Sequence, residues 1–223
     1  SAWFGTNELG QDVFSLVLVG SRISLFSGLA VVVIAVVFGT AVGAIAGYFG
    51  GWIDTLLMRS ADVLLSIPTL VLLILVSSFY HPSPWQLAVL IAVVSWAGIS
   101  RIVRGQILTL KNQEYVEASR VIGASDKRII VRHLMPNIIP VLIVWSALAV
   151  PSLILTEATL SYLGLGVQAP QPSWGNMLQE SKQFVRQSWT FVFFPGFLIF
   201  LTALCTYLVG LGLRDALDPR LND

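Results

Sequence analysis

Charged side chains are scarce in this chain of 223 residues, in which Asp, Glu, Lys and Arg together make up only 11%. Soluble domains contain about 25% charged residues, so too few are present here to cover a water-facing surface. Apolar residues make up 56% of the chain, which also excludes an intrinsically disordered protein. These two proportions predict an integral membrane protein.

Cysteine and histidine are also nearly absent, with one Cys and two His. The single cysteine, Cys205, cannot form an internal disulfide, which excludes a disulfide scaffold. The sequence has neither a His/Glu cluster with metal-ligand spacing nor a GxSxG motif, so an enzyme embedded in the membrane is the least favoured class. Residues 164–169 fit the GxGxxA dinucleotide pattern, but prolines follow at once and the required strand is missing. We therefore expect neither a cofactor site nor a metal site in this chain.

Long stretches without any ionisable residue are the main positive feature of the sequence. Five of them lack Asp, Glu, Lys, Arg and His: residues 23–48, 63–80, 85–100, 138–156 and 189–213. At 1.5 Å per helical residue they measure about 24–39 Å, which brackets the roughly 30 Å hydrocarbon core of a bilayer. The sequence therefore predicts an all-α transmembrane domain over residues 23–213 with five transmembrane helices.

The basic residues are unevenly distributed, and seven of the 13 lie between the third and fourth spans. If this loop is cytoplasmic, ten basic residues lie inside and only Arg22, Lys182 and Arg186 lie outside, as the positive-inside rule requires. Acidic residues are interleaved with this cluster, so we interpret it as a topology signal rather than a nucleic-acid site. The predicted regions are then an external lead-in, a cytoplasmic loop, an external segment and a cytoplasmic tail, over residues 1–22, 101–137, 157–188 and 214–223. Apolar residues of the lead-in, such as Leu9 and Val13, are expected to lie against the membrane.

The spans contain small residues and prolines instead of charges. Small residues repeat every four positions in the first span, which predicts close packing of a second helix on one face: Ala35, Gly39, Gly43 and Gly47. Prolines inside the other spans are expected to kink their helices: Pro68, Pro140, Pro151 and Pro195. The nearest acids, Asp54, Asp62 and Glu157, are expected near an interface. An ion-coupled carrier normally keeps ionisable residues within its spans, so no energy source is visible in the membrane.

The predicted cytoplasmic loop reads as two short helices joined by a turn. Capping and breaking residues delimit them: Asn112, Gly123, Ser125 and Pro136. Asn112 and Ser125 would cap the two helices, Gly123 would end the first and Pro136 would close the second. An apolar face with Ile122, Ile129 and Ile130 favours a docking element for a cytoplasmic partner. The alternative is an ordinary connector that lies on the bilayer surface.

A spaced motif runs through this loop: Glu117-Ala118-Ser119, then three residues, Gly123, nine residues, and His-Leu-Met-Pro at 133–136. In this spacing the loop resembles the EAA loop of the permease subunits of ABC importers. Further blocks are similar to the dipeptide/oligopeptide/nickel permease family, at residues 5–15, 47–54, 157–166, 172–178 and 213–220. The chain is most similar to the second, C-type permease of the dipeptide and oligopeptide systems.

This resemblance implies the type I permease fold of ABC importers. Members usually have six spans, so the first helix of the family is expected to be missing here. The implied partners are a second permease of the same fold, two cytoplasmic ATPase subunits, an external solute-binding protein and membrane lipid, with no nucleic acid. ATP and Mg would be bound by the ATPases, so this chain is expected to be non-catalytic. The expected location is the cytoplasmic (inner) membrane of a bacterium or archaeon.

The resemblance further implies import of dipeptides or oligopeptides by alternating access. Nickel, glutathione and oligosaccharide are alternative cargoes, and a secondary carrier or channel is the alternative of a different class. The residues implied to dock the ATPase are Glu117, Ala118, Ser119, Gly123, Ala124, Ser125, Arg128 and Pro136. Residues 157–188 and the lead-in are expected to meet the binding protein, or else only to pack on the permease.

Overall fold

The computed structural model describes residues 5–6, 10–80, 82–168, 170–183 and 189–217. Predictions that concern Leu9, Arg186, Arg220 and residues 218–223 of the tail lie outside these. The described regular structure is helical: α1 (Val13–Phe49), α2 (Gly51–Ser66), α3 (Thr69–Ser77), α4 (Pro84–Leu110), α5 (Glu114–Val121), α6 (Asp126–Ile129), α7 (Met135–Tyr162), α8 (Trp174–Ser181) and α9 (Thr190–Leu217). A π-helical turn, Ile130–Leu134, joins α6 to α7.

Within the described residues, four continuous helical segments are long and apolar enough to cross a membrane: α1, α4, α9 and the segment Asp126–Tyr162. The helices α2 and α3 together give a fifth candidate span, which is bent by 81°. The break lies at Ile67 and Pro68, because proline drives the preceding residue into extended backbone, here φ −100° and ψ 130°. The all-α membrane fold is therefore confirmed, whereas the expected kink at Pro68 is a complete break.

The first helix begins ten residues before the predicted span, at Val13. Asp12 caps it, since its carboxylate accepts hydrogen bonds from the backbone N–H (3.2 Å) and the hydroxyl (2.8 Å) of Ser15. The lead-in was predicted to lie against the membrane, but its residues Val13 and Val17 are buried against Met177. The lead-in is therefore helical from Val13 and continuous with the first span.

The small-residue stripe of α1 faces α4: Ala35, Gly39, Gly43 and Gly47. A Cβ atom added at Gly39 would collide with the side chain of Ile99, and one added at Gly43 would collide with the backbone oxygen of Ser100. At Gly47 an added Cβ would lie 2.9 Å from Cβ of Ile107. Only glycine, which has no Cβ, lets α1 and α4 lie this close at these three positions. The two parallel helices therefore meet in direct backbone contact.

The bundle has two unlike ends. We call the end where α1 and α4 finish the basic end, and the end where α8 packs the capped end. A capping box begins α8: Ser173 N–H donates to Asn176 Oδ1 (2.8 Å), and Asn176 N–H donates to Ser173 Oγ (3.2 Å). The adjacent Trp174 is 2% exposed, and its indole N–H donates to the backbone oxygen of Val17 (3.2 Å). The capped end is therefore closed by side chains of this chain itself.

The acid at the capped end is Glu157, near the end of α7. It is fully buried in α7, and its carboxylate accepts a hydrogen bond from Ser161 Oγ (2.8 Å). The same hydroxyl oxygen accepts the backbone N–H of Val167 (3.1 Å). Ser161 thus links the buried carboxylate to the turn after α7, while the second carboxylate oxygen, Oε2, is buried without a hydrogen-bond partner among the described residues.

Candidate functional site

The short helix α5 lies at the basic end between α4 and α6. It begins at Glu114, with Gln113 in extended backbone (φ −79°, ψ 147°) at the N-cap position. Glu114 and Glu117 lie in its first turn, where negative charge complements the helix dipole. The prediction that Asn112 caps this helix was wrong, because the Asn112 amide donates back to the carbonyl oxygen of Leu108 (3.1 Å).

Gly123 ends α5 in left-handed backbone, φ +82°. Its N–H donates to the oxygen of Arg120 (2.9 Å), and the N–H of Ala124 donates to the oxygen of Ser119 (3.0 Å), which together form a Schellman motif. Ser125 then occupies the N-cap position of α6, although its hydroxyl makes no capping hydrogen bond. The chain therefore turns sharply, and α5 and α6 form a compact elbow.

The helices on both sides of the predicted loop, residues 101–137, extend into it, although its charged residues suggested that they end before it. α4 continues past residue 100 to Leu110, and α6 passes through the π-helical turn into α7 without a break. The prediction that Pro136 closes the second helix was therefore wrong. Pro136 lies in the first turn of α7, where a missing backbone N–H is tolerated.

One side of the elbow is buried in the bundle. Val116, Ile129 and Leu134 are each 0% exposed and pack in one apolar cluster with Ile107 of α4. Ile129 was predicted to lie on the docking face, but it instead holds the elbow on the bundle. Because these contacts fix α5 and α6 on α4 and α7, the elbow is a rigid projection rather than a loose connector.

The other side of the elbow exposes apolar side chains. Val121 and Ile122 are 83% and 84% exposed. Beside them lies a groove of about 320 Å³, which we call the elbow groove and which is lined by Ser119, Ile122, Gly123, Ala124, Arg128, Arg132 and His133. This surface combines an apolar rim with two guanidinium groups, a composition suited to binding a protein that carries both an apolar and an acidic contact.

The structure brings together four of the residues that the resemblance implied: Ser119, Gly123, Ala124 and Arg128. Glu117 and Ala118 are exposed on α5 outside the groove lining, and Pro136 lies in α7. Arg132 and His133 also line the groove but were not among the residues that the resemblance implied. Arg132 follows Arg128 by four residues, a spacing that places both on one helix face and could have indicated it.

Charged pairs brace the helices that support the elbow. Arg104 of α4 makes two hydrogen bonds of 2.5 Å to the two carboxylate oxygens of Asp54 in α2. Arg101 of α4 pairs with Asp62 of α2, and Lys111 donates to a backbone carbonyl of α1 (2.8 Å). Bidentate Arg–carboxylate pairs hold their partners in one geometry, so α2 is fixed against α4 near the elbow.

The chain matches a known family over residues 39–223, a region that includes the whole elbow. The family is described as the binding-protein-dependent transport system inner membrane component. Because the matched region covers most of the chain, the match identifies the family to which the chain belongs.

Individual relatives cover nearly the whole chain. The dipeptide transport system permease protein DppC of Bacillus subtilis is 45% identical over 220 residues, which cover 98% of this chain and 69% of the relative. The oligopeptide transport system permease protein OppC of the same species is 43% identical, with coverages of 98% and 72%. The glutathione transport system permease protein GsiD of Pectobacterium atrosepticum is 41% identical, with coverages of 98% and 73%.

Among solved structures, the chain is similar to inward-facing forms of the MetNI methionine ABC transporter. One form gives a TM-score of 0.73 at 18% identity, covering 96% of this chain and 100% of the matched chain. A second form gives a TM-score of 0.68, with coverages of 90% and 97%. At this identity the likeness shows the fold alone, and it is the fold that the sequence led us to expect. The chain is therefore a multi-pass membrane protein of the binding-protein-dependent transport system inner membrane component family.

Proposed function

We propose that the chain is a permease subunit of an ATP-driven, binding-protein-dependent importer of dipeptides or oligopeptides. The elbow is the observation that supports this role best. Its inner side is packed into the bundle, whereas its outer side exposes Val121 and Ile122 beside an open groove. Large apolar side chains at the tip of a rigid projection indicate a protein partner. The peptide cargo is supported by the similarity to the DppC and OppC permeases.

The proposed partner at the elbow is a cytoplasmic ATPase subunit, which also binds the ATP and Mg. Ile122 provides the apolar anchor, and Glu117 and Arg128 fix the register of α5 and α6 through charge-assisted contacts. A second permease completes the translocation path within the membrane. A solute-binding protein docks at the capped end, on the segment that includes α8.

The mechanism follows from the rigidity of the elbow. When ATP closes the ATPase dimer, the elbows of the two permeases move with it, and each carries the helices on which it is packed. Alternating access is then a shift of population between inward-open and outward-open bundles, and ATP binding favours one of them. The spans need no ionisable groups for energy coupling in this scheme, because the energy is supplied at the elbow.

The orientation can be tested with single cysteines in a Cys205→Ser background. Lys127→Cys marks the basic end and Gln171→Cys marks the capped end, since both positions are exposed. In intact cells a membrane-impermeant maleimide is expected to label residue 171 and to label residue 127 only after permeabilisation. The reverse pattern would place the elbow outside and contradict the proposal.

The function can be tested in proteoliposomes that contain the chain, its partner permease and both ATPase subunits. Labelled dipeptide, oligopeptide and glutathione are offered together with the binding protein; glutathione is included because of the similarity to GsiD. Peptide uptake is expected only with ATP and binding protein. Uptake by this chain alone without ATP would contradict the proposal, and preference for glutathione would reassign the cargo.

A further inference from the structure

Tyr48, in the last turn of α1, contacts both arms of the elbow. It is 8% exposed, and its hydroxyl donates a 2.6 Å hydrogen bond to Oδ1 of Asp126, the first residue of α6. The guanidinium of Arg120, in α5, lies 5.5 Å from the centre of the Tyr48 ring, within the range of a cation–π contact. A single side chain thus joins α1 to both helices of the elbow, across 78 residues of sequence in the case of Asp126.

The backbone on either side of Tyr48 differs in its contacts and conformation. On one side, the carbonyl of Gly47 accepts a hydrogen bond from Lys111 Nζ (2.8 Å), which fixes the end of α1 to the end of α4. On the other side, Gly50 and Gly51 both have left-handed backbone, with φ of 66° and 59°. Glycine adopts this region without steric cost, so the chain can turn from α1 into α2 within two residues. Tyr48 therefore lies at the fixed end of α1, directly before this turn.

The contact of Tyr48 with Asp126 differs in kind from the other contacts of the elbow. Val116, Ile129 and Leu134 attach it by apolar packing, which is not directional. A hydrogen bond to a carboxylate is short and directional, and it loses its energy when the donor is displaced or tilted. Tyr48 and Asp126 can therefore fix the register between the elbow and α1, which apolar packing alone does not.

We propose that Tyr48 is a positioning residue that transmits movement of the elbow to α1. A displacement of α6 pulls on the Tyr48 hydroxyl through Asp126, and the end of α1 moves with it. The glycine seam then carries this movement to α4, because the two backbones are in direct contact along α1. This inference rests on the proposed function, since it requires that an ATPase moves the elbow.

Tyr48→Phe tests the proposal, because it keeps the ring that packs under Arg120 and removes only the hydroxyl. A hydrogen bond to a charged group is strong enough to change an equilibrium by about tenfold. We expect the number of solute molecules imported per ATP hydrolysed to fall by about that factor, while affinity of the complex for the ATPase subunits stays unchanged. If Tyr48 had only a structural role, Tyr48→Phe would lower the import ratio and the affinity for the ATPase subunits together, or it would change neither. Phe49→Leu, one residue further on, is the matched control and should keep the wild-type ratio.

Asp126 supplies a second arm of the test. Asp126→Asn keeps an oxygen that can accept the bond but loses the charge, so it should lower the import ratio less than Asp126→Ala, which should lower it as Tyr48→Phe does. The double variant Tyr48→Phe/Asp126→Ala should be no worse than either single variant, because both remove the same interaction. Additive losses, or a wild-type ratio in Tyr48→Phe, would overturn the inference. If the unmodified complex shows no ATP-dependent import, the proposed function fails instead, so the two failures are distinguishable.

Discussion

The side chains beside α8 at the capped end and those at the tip of the elbow differ in how completely the chain covers them. At the capped end, Trp174 is 2% exposed and Glu157 is fully buried with a hydroxyl partner. At the basic end, Val121 and Ile122 are more than four-fifths exposed. The difference shows that Trp174 and Glu157 are enclosed by this chain, whereas the tip of the elbow presents an apolar surface that a further protein can cover.

Substitutions in these two regions are therefore expected to change different properties, the stability of the chain or the binding of a partner. Substitutions at the capped end should alter the free energy of unfolding, because they remove packing and hydrogen bonds inside the chain. Substitutions on the outer side of the elbow should leave the fold intact and change only what binds there.

Trp174→Ala should give the largest effect, a loss of about 3–5 kcal/mol in the free energy of unfolding, because a buried aromatic ring leaves a cavity behind. Thermal unfolding of the purified chain in detergent measures it. Trp189→Ala is the matched control, since Trp189 is 66% exposed at the start of α9, and it should cost far less. Equal losses in the two variants would show that the capped end is not a packed core.

Ile122→Asp should leave thermal unfolding nearly unchanged but weaken binding of the ATPase subunit by at least about tenfold, since it places a charge at the apolar anchor. Affinity is measured with the reconstituted permease pair in nanodiscs. Ile122→Leu should bind normally, and Asn112→Asp adds the same charge to an exposed position outside the groove lining and should also bind normally. Weaker binding in both Asp variants, with normal binding in Ile122→Leu, would point to a general charge effect and contradict the role of Ile122 as an apolar anchor.

Arg104→Gln should destabilise the chain by about 1–3 kcal/mol, because it leaves the largely buried carboxylate of Asp54 without its charged partner. A double-mutant cycle with Asp54→Asn isolates the pair. Arg101→Gln breaks the pair with Asp62, in which both side chains are more than two-fifths exposed, and should cost less than about 1 kcal/mol. The reverse order would contradict the assignment of the Arg104 pair as the main brace.

Ser173→Ala should give the smallest effect, about 1 kcal/mol, through loss of a helix cap. Ser83 makes the same capping box with Gln86 at the start of α4, but in an exposed position. Ser83→Ala should therefore cost less than Ser173→Ala, since water can replace the lost hydroxyl only at the exposed cap. Thermal unfolding of both variants checks this order, and a larger loss in Ser83→Ala would contradict it.

The membrane fold could be predicted from the sequence because apolar composition and span length depend on the bilayer alone. Helix boundaries could not be predicted equally well, since they depend on contacts between distant residues. Arg101 and Arg104 marked the start of a loop in the sequence, yet both lie inside α4, where Asp62 and Asp54 of α2 pair with them. A charge ends an apolar stretch but does not end a helix when a partner is near.

The turn in the elbow could be predicted from the sequence, but not which side of the elbow faces the bundle. Gly123 indicated a left-handed turn because few other residues adopt that backbone. The apolar residues on either side of it gave no sign of which would be buried, and the bundle covers Ile129 while it leaves Ile122 exposed. The bond of Tyr48 to Asp126 joins residues 78 positions apart and has no local pattern in the sequence.

Photo-cross-linking from position 122 shows directly whether the elbow contacts the ATPase subunit. A photoreactive phenylalanine analogue replaces Ile122 in the reconstituted complex, and a second variant carries it at Phe79, an exposed residue after α3 and far from the elbow in sequence. Cross-linking to the ATPase subunit from position 122, and not from position 79, is the predicted result. Cross-links from position 122 to the binding protein, or none to the ATPase, would contradict the assignment of the elbow as the docking surface.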